Sequence, residues 1–228
     1  MKFTKYGVTF KRLSEEDIEL LRNWRNSPKI NQFMEYREYI TPEMQRKWFN
    51  SVNNLDNFYY IMEYNNEKIG LINNKNSDWD AGISESGIFI WEDKYLNTTV
   101  PILASLLLIE AGFYILNGKK NFIRILKANK RARDFSTSLG YVLCENQENV
   151  ENQLYVLTKE SFEKKGTKVL KAVKTLVSTD NIIYLYFEKQ DYESGLAQFI
   201  EKEIEKSAVY YKFKCETTEN GKLYTFQG

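Results

Sequence analysis

The sequence predicts a mixed α/β (α+β) fold, in which a mostly antiparallel sheet is flanked by helices. Segments with strand-like alternation and segments with helical periodicity follow one another along the chain. Hydrophobic residues make up 43% and aromatic residues 15% of the 228 positions, which is enough to build a full core. A single long apolar run supplies the third observation, because it predicts a helix buried at the centre of the domain.

This apolar run, "NTTVPILASLLLIEAGFYIL" at residues 97–116, is predicted to be a core helix and not a membrane span. A spanning helix needs about 20 mainly apolar residues, and a charge near its centre is costly. Glu110 and Gly112 interrupt the run, whereas Thr98, Thr99 and Pro101 form a start pattern typical of helices in water-soluble domains. We therefore expect no contact with a membrane.

The other elements up to residue 159 are predicted from periodicity and from capping or turn residues. The alternation in "MKFTKYGVTFKRL" predicts a strand, centred on Val8–Leu13, and no signal peptide. Helices are expected to start at Ser14 and Thr41, with an irregular or partly helical loop between them. The remaining predicted elements are a hairpin turning at Asn65–Asn66, a strand at 82–91, the core helix at 99–116, a strand at 121–128, a helix at 129–140 and a hairpin at 141–159.

Beyond residue 160 the alternation of elements starts again. The pattern predicts a helix to residue 177, a strong strand "NIIYLYFE", an amphipathic helix and a terminal hairpin turning at Asn220–Gly221. We therefore predict two domains, a larger one at residues 1–160 and a small α+β domain of unknown role at residues 161–228.

Composition excludes several classes of chemistry. The 32 basic and 31 acidic residues nearly cancel, so there is no electrostatic case for binding nucleic acid. The chain has no histidine, which removes Ser-His-Asp hydrolysis and the usual zinc ligand sets. Cys144 and Cys215 stand alone, so we expect no metal, no disulfide framework and a reduced, cytoplasmic location. Acid–base chemistry must come from Asp, Glu, Tyr, Lys, Cys or water.

Two motifs in this order of elements carry a family resemblance. The strand "ESGIFI" fits a Glu-x-Gly pattern, and "NKRARDFSTSLGY" fits Asn-x-x-Ala followed by Leu-Gly-aromatic. With them, the first 160 residues resemble a GCN5-related N-acetyltransferase (GNAT). Upstream, "LLRNWRNSPKI" and "ITPEMQRKWF" resemble a subgroup that includes nucleotide-sugar N-acetyltransferases and is related to ribosomal-protein N-terminal acetyltransferases.

The resemblance implies transfer of an acetyl group from acetyl-CoA to a primary amine of a small acceptor, and the subgroup points to an amino sugar on a nucleotide carrier. A carboxylate, in most cases through water, takes the proton of the amine. Under the same resemblance, the expected site residues are Glu85 as the base, Ser136 at the position of the acid, Phe89, Ile90, Thr98, Thr99, Asn129 and Arg133 at the cofactor, and Arg25 and Asn26 at the acceptor.

The chain departs from the family pattern where the cofactor phosphates are held. The family has Gln/Arg-x-x-Gly-x-Gly/Ala there, whereas this chain has Leu96, Thr99 and Pro101 at the three specified positions. Glycine permits close approach of the backbone to phosphate, and proline lacks an N–H donor. Thr98 and Thr99 are expected to compensate in part with hydroxyl donors. The acid position is also altered, since Ser136 stands where the family often has tyrosine.

Several alternatives stay open at this level. The chain could be a GNAT-shaped binding or assembly module that has lost acetyl-CoA, or an acetyltransferase of protein N-termini or aminoglycosides. Glu85 could be a solvent-facing strand residue, and Asn129 could serve only as a helix cap. Arg25 and Asn26 could simply close the first helix. Homodimer formation is also left open.

Overall fold

The strands of the protein form one continuous sheet. The computed structural model describes residues 1–176 and 181–227, and eleven strands lie in the order β10-β11-β9-β1-β2-β3-β4-β5-β6-β8-β7. All neighbours are antiparallel except β5 and β6. The strands are β1 Lys2–Lys5, β2 Val8–Arg12, β3 Phe58–Tyr64, β4 Glu67–Asp78, β5 Ile83–Ile90, β6 Lys120–Leu126, β7 Val142–Leu143, β8 Asn152–Thr158, β9 Ile182–Glu188, β10 Phe213–Thr218 and β11 Gly221–Gln227. The predicted fold class is confirmed.

Helices flank this sheet. They are α1 Ile18–Asn26, α2 Pro28–Asn31, α3 Pro42–Val52, α4 Asp93–Leu96, α5 Val100–Glu110, α6 Lys130–Ser138, α7 Lys159–Ser161, α8 Thr167–Leu176, α9 Lys189–Glu193 and α10 Leu196–Glu205. A π-helical turn, Ala111–Ile115, continues α5, so the predicted core helix is present almost to its predicted ends. Among residues 1–176 and 181–227, no helix is long and apolar enough to cross a membrane.

The two faces of the sheet carry separate hydrophobic cores. Leu103, Leu106 and Leu107 of α5 are buried in the larger core, whereas α1 and α3 pack in the smaller one. Side chains of a strand alternate between faces. In β5, Ile90 accordingly belongs to the core around α5 and Phe89 packs against the core around α1. We call these faces of the sheet the α5 face and the α1 face.

The N-terminal prediction of a single strand is wrong, because the segment is a hairpin of β1 and β2. Lys5 and Val8 form its last pair, and Tyr6 and Gly7 make the turn with φ of 57° and 76°. Tyrosine rarely adopts a positive φ, so it gave no turn signal in the sequence. The turn at Asn65–Asn66 is confirmed, since β3 pairs with β4 around these residues and both have positive φ.

The C-terminal segment extends the same sheet. Strand β9 pairs with β1, with Phe3 opposite Leu185, and β11 and β10 follow outward. Helix α10 buries Ile200 and Ile204 in the core around α5. The division at residue 160 stays a prediction, and the described part of residues 161–228 shares its sheet and core with the preceding chain. The last residue of the helix predicted to 177 lies outside the described residues.

Candidate active site

Strands β5 and β6 separate from each other partway along their length. Their parallel pairing joins Ile83–Ser86 to Lys120–Ile123 and then stops. Towards the C-terminal ends of the two strands, Gly87–Ile90 pairs only with β4, and the rest of β6 pairs only with β8. We call the gap between the two strands the fork. Along Gly87–Ile90, one backbone edge of β5 therefore has no strand partner among the described residues.

The loop before α5 lies at the top of β5, and its hydrogen bonds are largely internal. The Thr98 hydroxyl donates to the Tyr95 carbonyl over 2.8 Å and accepts from the Val100 N–H over 3.2 Å. Its hydrogen is therefore engaged within the loop, which leaves Thr98 poorly suited to the donor role predicted for it. Thr99 precedes α5 without a side-chain capping bond, so its hydroxyl stays available.

Helix α6 contributes one arginine to this loop and a second arginine with a buried donor. Arg131 donates to the Leu96 carbonyl and, over 3.1 Å, to the Asn97 side chain. The Arg133 Nε is buried and has no acceptor in the described part of the chain. Arg133 was predicted as a cofactor residue, whereas Arg131 was missed because an exposed basic cluster looks the same at either position. A guanidinium group thus already contacts the loop from which the family's glycines are absent.

The other two predicted residues of α6 have defined structural positions. The Asn129 Oδ1 caps the helix by accepting from the Ala132 N–H over 3.1 Å, which is the capping role that the sequence left open. Ser136 is 7% exposed, and its carbonyl accepts from the N–H groups of Leu139 and Tyr141. The Asn129 amide can still donate through its nitrogen, and Ser136 is a buried residue.

Glu85 lies on the α1 face and is flanked by two cations. Its Oε1 is 2.9 Å from Lys75 Nζ, and its Oε2 is 3.7 Å from Arg124 Nε. The side chain is 19% exposed, so Glu85 is not the solvent-facing strand residue of the simpler interpretation. Both oxygens have a cationic partner, and water can still reach the carboxylate.

Tyr59 lies close enough to both Arg25 and Glu85 for its charge to interact with theirs. Burial lowers the pKa of Arg25, and interaction with Tyr59 opposes that change. Burial raises the pKa of Tyr59, an effect that the charge of Arg25 opposes and that of Glu85 reinforces. These three side chains therefore form one electrostatic group on the α1 face.

Two buried donors on this face lack acceptors. The Nε of Arg25 and the Nδ2 of Asn73 have no hydrogen-bond partner among the described residues. Asn73 pairs with Gly87, and a Cβ at Gly87 would lie 2.9 Å from the Asn73 Oδ1. Buried donors without acceptors are costly. Both donors on the α1 face are thus available to oxygen acceptors from outside the described protein residues.

The neighbour of Arg25 is differently placed. Both ends of the Asn26 amide are engaged by Ile40, because Nδ2 donates to its carbonyl and Oδ1 accepts from its N–H, each over 2.8 Å. Of the two residues predicted at the acceptor, Arg25 has a free donor, and Asn26 positions the loop between α2 and α3.

Comparisons with known proteins define the class of this protein. Residues 8–142 match the family model described as Acetyltransferase (GNAT) domain. Because this match spans more than half of the chain, the protein belongs to the GNAT acetyltransferase family. The predictions of the family and of an N-acetyltransferase are confirmed at this level. A search of curated proteins by sequence finds no match.

Solved structures similar to this chain share its fold. Apo FdhC, a nucleotide-linked sugar GNAT, is 19% identical over 75% of this chain and 97% of its own, with a TM-score of 0.60. Aminoglycoside acetyltransferase AAC(6′)-Ib in complex with coenzyme A is 19% identical over 70% of this chain and 99% of its own, with a TM-score of 0.58. Spermidine N-acetyltransferase from Vibrio cholerae, in complex with CoA and spermine, is 16% identical over 70% of this chain and 99% of its own, with a TM-score of 0.58.

Proposed function

We propose that this protein transfers an acetyl group from acetyl-CoA to a primary amine of a small acceptor, namely an amino sugar on a nucleotide carrier. The fork carries this proposal. The pantetheine arm of CoA contains amide groups, and a free strand edge binds amides as another strand would. Gly87–Ile90 offers such an edge beside β6. Backbone groups of Phe89 and Ile90 would hold the arm and polarise the thioester carbonyl.

The residues around the loop fit the phosphates of CoA despite the missing glycines. Arg131 contacts the loop, and Arg133 has a buried donor without a protein acceptor. Arginine forms bidentate bonds with phosphate oxygens. The N-terminus of α5 adds the positive end of a helix dipole, which attracts phosphate, and Thr99 adds a hydroxyl donor. We infer that guanidinium groups from α6 supply what the loop backbone lacks, while the Asn129 amide nitrogen serves the pantetheine arm.

The charge on the α1 face favours an anionic acceptor. Lys75 and Arg124 flank Glu85, and the guanidinium group of Arg25 interacts with Tyr59 on the same face. A polycation such as a polyamine would meet net repulsion there, whereas the diphosphate of a nucleotide carrier would be attracted. FdhC, a nucleotide-linked sugar GNAT with the same fold, supports this choice among acceptors.

In the proposed reaction the neutral amine forms a C–N bond to the acetyl carbonyl and the C–S bond to CoA breaks. Glu85, through a water molecule, takes the proton that the amine loses. The departing thiolate takes a proton from water, with the Ser136 hydroxyl as a hydrogen-bond donor. The two free thiols, Cys144 and Cys215, agree with a cytoplasmic location, which is part of the proposal.

Titration with acetyl-CoA tests this proposal through the stability of the protein. A site occupied at 100 times Kd stabilises the fold by about 2.7 kcal/mol, which thermal unfolding detects. Arg131→Ala should weaken acetyl-CoA binding by about tenfold, because a charge-assisted bond to phosphate is lost. Lys130→Ala is the matched control, since Lys130 lies on the same helix and is paired with Asp134.

The absence of any stabilisation by acetyl-CoA would contradict the proposal. If millimolar acetyl-CoA leaves the unfolding temperature of the folded protein unchanged, acetyl transfer from acetyl-CoA is wrong. The alternative of a GNAT-shaped binding module would then be favoured. Equal effects of Arg131→Ala and Lys130→Ala would contradict the role given to Arg131.

A further inference from the structure

A hydrogen-bonded cluster of polar side chains lies at the base of the fork on the α5 face. The Asn121 Nδ2 lies 2.8 Å from Ser86 Oγ, 3.1 Å from Ser84 Oγ and 3.2 Å from Asn74 Oδ1, all acceptors for its hydrogens. Ser86 also donates to Asn74 over 2.9 Å, and the Tyr141 hydroxyl donates to the Asn121 Oδ1 over 2.5 Å. We call these five residues the base cluster.

The base cluster closes the fork. Ser86 and Ile123 form the last pair between β5 and β6, so the cluster begins where the strands separate. Burial raises the pKa of Tyr141, and its hydroxyl therefore remains a donor to Asn121 at neutral pH. Because Tyr141 is a donor, both the nitrogen and the oxygen of the Asn121 amide have hydrogen-bond partners. A methylene group pushed among them would leave buried donors and acceptors without partners, which is costly.

An apolar cavity adjoins the base cluster at Asn74. It has a volume of about 50 Å³ and contains Asn74 in its wall. Its apolar lining includes Phe10, Tyr60, Leu108, Ile115 and Ile204. Gly112, in the π-helical turn after α5, also lines it, and a Cβ there would have no atom within 4 Å. Asn74 thus belongs both to the wall of the cavity and to the base cluster.

We propose that the base cluster is an acyl-length filter that restricts the donor to acetyl-CoA. This inference rests on the proposed function, because it places the acyl group at the closed end of the fork. A two-carbon acyl group is short enough to end before it reaches Ser86. A longer chain must displace the bonds of Asn121 before it can reach the cavity. The cavity itself is apolar, and it would accept that chain once the polar side chains in between are shortened.

The experiment compares acyl-CoA binding by wild type and by variants of the filter. Calorimetry would measure Kd for CoA, acetyl-CoA and butyryl-CoA with wild type, Ser86→Ala and the double variant Asn121→Ala/Tyr141→Phe. The double variant removes both partners of one bond, so no buried donor is left unsatisfied. Circular dichroism would establish that each variant is folded, and Ser86→Ala, the smaller change, provides an independent test of the same filter.

We expect wild type to bind acetyl-CoA more tightly than butyryl-CoA. In the filter variants, the affinity for butyryl-CoA should rise by about tenfold relative to acetyl-CoA, as two methylene groups leave water. Gly112→Val, added to the double variant, is the matched control. Its side chain would occupy the cavity and abolish the gain without touching the base cluster.

Three results would overturn the inference, and the first two can be told apart from the third. If wild type binds butyryl-CoA as tightly as acetyl-CoA, or if folded variants bind acetyl-CoA without any gain for butyryl-CoA, the filter is wrong and the proposed function stands. If wild type binds none of the three compounds, the proposed function fails and the inference fails with it.

Discussion

In the proposed function, single residues on the α1 face select the acceptor. Glu85 was predicted as the base from its place in the Glu-x-Gly strand, and its partners Lys75 and Arg124 are contributed by the strands on either side. These ion pairs hold the carboxylate beside the fork. They also make the surroundings cationic. Whether the acceptor is anionic can therefore be tested by removing the charge of Arg25.

Arg25→Gln is expected to raise KM for a nucleotide-linked amino sugar by about tenfold or more, because a charge-assisted hydrogen bond is lost. The kcat should change little, since Arg25 is assigned to binding and not to proton transfer. Steady-state measurement of CoA release would give both constants.

Arg22→Gln provides the control for this prediction, because Arg22 lies on the same helix and is paired with Glu19. A neutral amine acceptor should be insensitive to Arg25→Gln. An equal loss for neutral and anionic acceptors would show that Arg25 does not recognise the anionic group.

Among the elements, α5 depends on a buried ion pair at its end. The Lys5 Nζ lies 2.9 Å from the Glu110 Oε2, and the Tyr6 hydroxyl donates to the same oxygen over 2.9 Å. The two charged side chains are 1% and 9% exposed. Burial, reinforced by Glu110, raises the pKa of Tyr6, so this hydroxyl stays protonated. The N-terminal hairpin is thereby joined to the point where α5 becomes π-helical.

Glu110→Gln should lower the free energy of unfolding by about 3–5 kcal/mol, because the Lys5 ammonium group would remain buried without this carboxylate. Urea unfolding would measure the loss. The double variant Lys5→Met/Glu110→Leu should recover most of it, since well-packed apolar side chains can replace a buried pair.

Glu67→Gln is the control at an exposed pair, because Glu67 and Lys94 are about half exposed and contribute little. A loss from Glu110→Gln as small as that from Glu67→Gln would contradict the role given to the buried pair.

At the scale of the whole molecule, the C-terminal segment completes the sheet and the core. Strand β9 covers the edge of β1, and α10 supplies part of the wall of the apolar cavity. The predicted domain boundary at residue 160 therefore has a measurable consequence.

A chain ending at residue 160 is expected to lose cooperative folding or to aggregate. Its β1 strand would become an open edge, and the core residues that contact α10 would be exposed. Thermal unfolding and sedimentation would compare the truncated chain with the full chain.

Leu185→Ala in the full chain is a smaller change at the same interface. It should lower the free energy of unfolding by about 2–5 kcal/mol, because this leucine is buried. If the truncated chain instead remains monomeric and as stable as the full chain, residues 1–160 form an independent domain. The sedimentation measurement on the full chain also tests homodimer formation.

The sequence by itself determined the fold class, the core helix and the family. These properties follow from local periodicity, from turn residues such as Asn65–Asn66 and from motifs read along the chain. The confirmed match over residues 8–142 covers the segments that carried the resemblance. Such signals lie within a few residues of one another, and for that reason they are visible without the fold.

Only the tertiary structure decided which side chains meet. Arg131 and the loop at Leu96 are distant in sequence, as are Glu85 and its partners. The hairpin turn at Tyr6 was hidden because tyrosine is not a turn residue, and the base cluster was hidden because its members lie on three strands and a loop. Sheet register and the divergence of β5 from β6 create these contacts, and neither leaves a signal in any single segment.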